Sequence, residues 1–126
     1  MDPTPPILDL ELAEQFFAAS SPEDEVQLRE MVVGLRADIY PRFANLRRWA
    51  TAEASDPTEC QRELHQLRGV VANFGFSAAA QRLRGLEHTW RALSAPDKIE
   101  ALRVAHGEVD AGLEALQTRY PYLRGA

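Results

Sequence analysis

An all-α fold, an antiparallel up-and-down four-helix bundle with a short additional N-terminal helix, is what this 126-residue sequence predicts. Three observations carry that reading. Apolar residues recur at helical spacing and nowhere alternate with polar ones over a β-branched run. Proline-marked helix starts recur along the chain. No Asn-Gly or Asp-Gly turn is present to close a hairpin. Taken in order, the first helix covers about 8–18 (LDLELAEQFFA) and is expected to sit as a lid. Ser21-Pro22-Glu23-Asp24 opens the second, about 22–53, with a capping hydroxyl, a proline at the first helical position and acids in the first turn. Leu28, Val32, Leu35, Ile39, Phe43 and Leu46 form its core stripe, and Pro41 is expected to kink it. Asp56-Pro57-Thr58-Glu59 opens the third, about 57–74, with Glu59 at the capping-box position. Ser77 is the expected cap of the fourth, about 77–93, and Ser94 stands before the fifth, about 96–119. Connections of a few residues force consecutive helices to run antiparallel.

The length suits one domain, residues 1–126, with the bundle over about 22–119. A composition of 45% hydrophobic and 26% charged residues is that of a globular chain. No apolar run is long enough for a membrane span, and the N-terminus lacks a basic, signal-like start. A lone cysteine, Cys60, excludes an internal disulfide and a multi-cysteine zinc site. A soluble, cytoplasmic protein is expected. The net charge of −5 argues against nucleic acid as a partner. That charge is uneven: residues 1–59 carry five arginines against twelve acids, whereas residues 60–91 carry five arginines against two. The basic stretch suits an acidic partner surface or a phosphate.

On a helical wheel the third helix puts Cys60, Leu64, Leu67, Val71 and Phe74 on one side. His65 falls about 150° from the centre of that stripe, toward solvent. Gly69 follows it by four residues, although glycine inside a helix costs about 0.8–1 kcal/mol relative to alanine. That cost makes sense if something must approach the imidazole closely. Arg68, at i+3, brings a permanent cation to the same space. A histidine with a cation beside it and a cleared surface suits covalent phosphoryl transfer. The other ring nitrogen then needs an acceptor to hold the tautomer. Glu87 sits beside the fourth helix's apolar stripe of Ala79, Leu83, Leu86, Trp90 and Leu93, where it can reach across an antiparallel groove.

The string His65-Gln66-Leu67-Arg68-Gly69-Val70-Val71-Ala72-Asn73-Phe74-Gly75-Phe76, with Leu83 and Leu86-Glu87 beyond it, resembles the histidine phosphotransfer (HPt) family. That family's signature is a His-x-Leu-Lys-Gly core, a small-residue stretch, a glycine turn and a second helix ending in Leu-Glu. The chain as a whole is similar to the phosphotransfer domains of chemotaxis-type and hybrid sensor kinases, and its Phe-Gly-Phe turn resembles that of the chemotaxis-type domains in particular. The resemblance implies a four-helix bundle whose exposed histidine exchanges a phosphoryl group with an aspartate of a receiver domain. It implies His65 as the phosphorylated residue, Arg68 as the phosphate-side cation, Gly69 as the clearance and Glu87 as the imidazole's partner. Arg68 stands where the family usually has lysine, and Val70 and Val71 replace smaller residues; both valines are expected to point inward.

Other constellations are poorer. His106 lies with Ile99, Leu102, Val109, Leu113 and Leu116 and is expected to be packed and hydrogen-bonded, and His88 to be a surface residue. A di-iron bundle needs Glu-x-x-His pairs, but Arg62, Gly85 and Arg103 precede the three histidines at that spacing. Cys60, Trp49 and Trp90 read as packing residues. No Gly-x-Ser-x-Gly and no phosphate-cradling glycine loop is present, so neither a hydrolase nor an ATP-using kinase is expected. The expected protein is a phosphoryl carrier, not an enzyme in its own right, with no cofactor, and with the necessary Mg²⁺ supplied by the receiver. Docking is expected around Gln61, Arg62, Ala72 and Arg84, by a free-standing monomer away from membranes. The alternative is an adaptor or inhibitor that docks on a receiver or kinase without carrying phosphate.

Overall fold

The first turn of a helix leaves backbone amides without partners, and side chains just upstream supply them here. Asp9 accepts from the Leu12 amide at 3.1 Å, Ser21 from Asp24 at 3.1 Å, Asp56 from Thr58 at 2.9 Å and Ser94 from Asp97 at 3.2 Å. A computed structural model describes residues 4–126. These caps begin α1 (Leu10–Phe17), α2 (Pro22–Thr51), α3 (Pro57–Asn73) and α5 (Ala95–Arg119). Glu59 does not close the expected capping box and pairs forward with Arg62 at 3.6 Å, leaving the cap to Asp56.

The fourth helix, α4 (Ser77–Thr89), begins in another way. Ser77 is its first helical residue and not its cap, and Phe76 at the cap position offers no side-chain bond. Two backbone features replace the cap. Gly75, at φ +83°, ends α3 in the left-handed region, with its amide on Ala72 O (3.0 Å) and the Phe76 amide on Val71 O (3.1 Å). The Ala78 amide, the donor that a side-chain cap at position 76 would take, is satisfied by Pro6 O at 2.9 Å. The same N-terminal segment donates from the Asp9 amide to Gly75 O at 2.7 Å. The lid is thereby sewn onto the α3–α4 turn.

Helix α2 passes Pro41 without interruption. Pro41 and Ala37, whose carbonyl loses its usual donor, both lie on the exposed side, where that carbonyl is open to solvent. Helix α4 gives way to a 3₁₀ turn at Trp90–Ala92, and a second follows α5 at Pro121–Leu123. No strand occurs among the described residues. Neighbours in the bundle run α2–α3–α4–α5 and back to α2, and α3 packs most extensively on α4.

The apolar stripes meet in one core, with Phe17, Phe43, Phe76 and Trp90 its largest fully buried side chains. Among the described residues no polar or charged residue is buried. Leu28, Phe74, Leu93 and Ile99 pack at its margin, half-buried. Of the two valines, Val71 is fully buried and Val70 partly so. Cys60 is buried, and loss of hydration pushes its thiol pKa up. His106 is half-buried between α2 and α5, stacked on Phe43 at 4.7 Å with Nδ1 3.1 Å from Arg47 Nη1. His88 is exposed. No described helix is long and apolar enough to cross a membrane.

Candidate functional site

Leu64 and Leu67 lock one side of α3 into the core at 0% exposure, which turns His65 between them outward. The His65 side chain is 59% exposed. Its Nδ1 lies 3.1 Å from Glu87 Oε1 across the α3–α4 groove. Glu87 is held in that groove with only 19% of its side chain exposed. Arg68, one turn on from His65, places Nη2 2.8 Å from the same Nδ1 and Nε 3.1 Å from Glu87 Oε2. The Nε–Oε2 approach is misaligned for a hydrogen bond, so it is a Coulombic contact between two buried atoms. No hydrogen bond reaches the other ring nitrogen, Nε2, from any described residue. One nitrogen is thus held from behind while the other faces solvent.

Glu87 owes its position to a strut that sequence reasoning did not find. Gln61 Nε2 donates to the Glu87 carbonyl at 2.9 Å, tying α3 to the end of α4. Arg91 continues it, donating from Nε to Gln61 Oε1 at 3.2 Å and from Nη2 to Thr58 Oγ1 at 2.8 Å. Arg91 lies four residues beyond Glu87, in the 3₁₀ turn that continues α4, and that spacing was the available signal. The structure therefore places Gln61, expected to face a partner, with both ends of its amide engaged inside the protein. Arg62, Ala72 and Arg84 are exposed on α3 and α4, and Arg84 has no ion pair among the described residues.

At Gly69 a Cβ would meet no atom of the described residues within 4 Å. Gly34, Gly85 and Gly107 share that freedom, so open space alone does not single it out. Its place one turn from His65 does. No described residue requires glycine there, so Gly69→Ala is expected to raise unfolding free energy by about 0.8–1 kcal/mol in a urea titration. If the clearance serves a docking partner, the same variant accepts phosphate more slowly. A stabilised variant with unchanged transfer would remove the clearance role.

Among the described residues no group of three or more His, Cys, Asp or Glu is arranged to hold a metal. No curated protein and no solved structure matches the chain. The family model described as Hpt domain does match it, over residues 15–119, a span that takes in α2 to α5 and both sides of the His65–Glu87 groove. A helical bundle with an exposed histidine on its third helix, matched over most of its length by that model, belongs to the Hpt domain family.

Proposed function

We propose that this protein carries a phosphoryl group on His65, exchanging it with the aspartate of a receiver domain in a two-component phosphorelay. Membership of the Hpt domain family supports a histidine phosphotransfer role in general. The observation that carries the residue assignment is the divided state of the ring: Nδ1 faces Glu87 at 3.1 Å and Nε2 is open to solvent. In the forward step the Nε2 lone pair attacks phosphorus. The bond from phosphorus to the aspartyl oxygen breaks, and the carboxylate departs with the electron pair. Charge developing on the ring is met by Glu87, and charge on the phosphoryl oxygens by Arg68. Both Glu87 oxygens already face Arg68 and His65, a poor donor set for a divalent cation, so Mg²⁺ belongs on the receiver's side. The exposed Arg62 and Ala72 on the helix that carries His65, with the exposed Arg84 on the helix that carries Glu87, offer a basic surface with a small apolar element, suited to an acidic partner.

The direct test is incubation with a receiver phosphorylated on its aspartate. The wild-type chain takes up a label that is acid-labile and base-stable, as a phosphoramidate is, and His65→Gln takes up none. Label on His65→Gln would falsify the site. Absence of label from both, with receiver binding intact in both, would establish a docking adaptor instead.

A further inference from the structure

Two groups claim one position on His65. Arg68 Nη2, always a donor, lies 2.8 Å from Nδ1, and Glu87 Oε1, an acceptor as carboxylate, lies 3.1 Å from the same atom. Nδ1 has a single in-plane site, which holds a lone pair or a proton. If Arg68 donates to it, the neutral ring carries its proton on Nε2 and the outward nitrogen is no nucleophile. If Nδ1–H donates to Glu87, the Nε2 lone pair is free and Arg68 must withdraw. The shorter contact is the one to Arg68.

Arg68 also has somewhere to go. Its Nε and Glu87 Oε2 are both buried and lack an aligned hydrogen bond, though only 3.1 Å apart. A small rotation of the guanidinium off Nδ1 brings these two atoms into line, and a forked donor can do this while staying beside the ring. Resting on the phosphotransfer reading above, we propose that Arg68 is a two-position tautomer lock. In the resting chain it holds His65 as the Nε2–H tautomer, and an arriving phosphoryl dianion draws it off Nδ1. The Nε2 proton then leaves to water while Nδ1 takes one from water and donates to Glu87, with no net change in protons. The nucleophile is uncovered only when an anion is present to receive the guanidinium. Arg68 in this role is a positioning residue, acting on the reaction through the ring it holds.

The test reads the ring directly, without a receiver. In ¹⁵N-labelled full-length chain, in mildly alkaline buffer to keep imidazoles neutral, nitrogen shifts and two-bond couplings report which ring nitrogen bears hydrogen. The wild type is expected to show His65 protonated on Nε2. Arg68→Met, which keeps the stem and removes the donors, is expected to move the ratio roughly ten- to a hundredfold toward Nδ1–H, the scale of one hydrogen bond from a charged donor. Arg68→Lys keeps the charge but loses the fork, and it too is expected to show Nδ1–H. His106, whose Nδ1 faces Arg47 at 3.1 Å, serves as the internal control that each variant is folded. A wild-type ring already protonated on Nδ1, or a ratio unmoved by Arg68→Met, overturns the lock. These outcomes are separate from those of the labelling experiment. A chain that takes label with its resting ring on Nδ1–H loses the lock and keeps the relay, and a chain with the lock that takes no label does the reverse.

Discussion

Phe76→Ala is expected to lower the unfolding free energy by about 3–5 kcal/mol, the usual cost of removing a buried aromatic ring and leaving a cavity. Phe76 is 0% exposed and stands between the end of α3 and the start of α4, against α5. In a chain of 126 residues that loss corresponds to a fall in Tm of roughly 10–20 °C. A urea titration checks it, as a lower midpoint at unchanged slope. Gly112 explains why the site tolerates so little. A Cβ on Gly112 would sit 2.7 Å from the Phe76 ring, so Gly112→Ala alone overpacks the contact at about 1–3 kcal/mol. In the Phe76→Ala background the added methyl enters vacated space. The double variant is therefore expected to cost clearly less than the two single variants together. Additive costs would mean that the ring and the glycine do not share one contact.

Glu87→Ala is expected to slow phosphoryl transfer to His65 by roughly 10²-fold, the scale seen when one preorganised polar group facing developing charge is removed. Glu87 opposes Nδ1 at 3.1 Å, and among the described residues no other carboxylate bonds that ring. Its loss leaves the imidazolium of the phosphorylated state unsupported and leaves Nδ1 to Arg68 alone. Glu87→Gln retains an oxygen that accepts from Nδ1–H but not the negative charge, so it is expected to fall between Ala and wild type. With 19% of its side chain exposed, Glu87 offers a partner little surface. The change should therefore appear in the transfer rate, measured by rapid quench, with receiver affinity nearly constant. A loss confined to affinity would place Glu87 in the interface and not behind the ring.

The elements of this fold were largely legible in the sequence because their causes are local. The Ser21, Asp56 and Ser94 caps and the proline at each following helix start act within one turn. The core stripe of α3 is a matter of period, and Cys60, Leu64, Leu67 and Val71 are buried as the wheel requires. The exposure of His65 follows from the same wheel. Ser77 fails as a cap for the opposite reason. The helix starts one residue earlier, from Phe76, and the amide that a side-chain cap there would serve, Ala78, is taken by Pro6, more than seventy residues away, a carbonyl that no window around position 77 contains.

The sequence alone determined the helices, which face of each is apolar, and that one histidine on the third helix points to water, since all of these depend on neighbours three or four residues apart. Only the tertiary structure decided how far α3 and α4 slide along each other, and with that whether a carboxylate meets the ring. It set Glu87 beside His65, engaged Gln61 between α3, α4 and Arg91, and brought Arg68 onto the very nitrogen that Glu87 also faces. The physical reason is that helix register comes from the packing of whole apolar faces, a sum over many distant side chains, whereas periodicity and capping are written within a single turn.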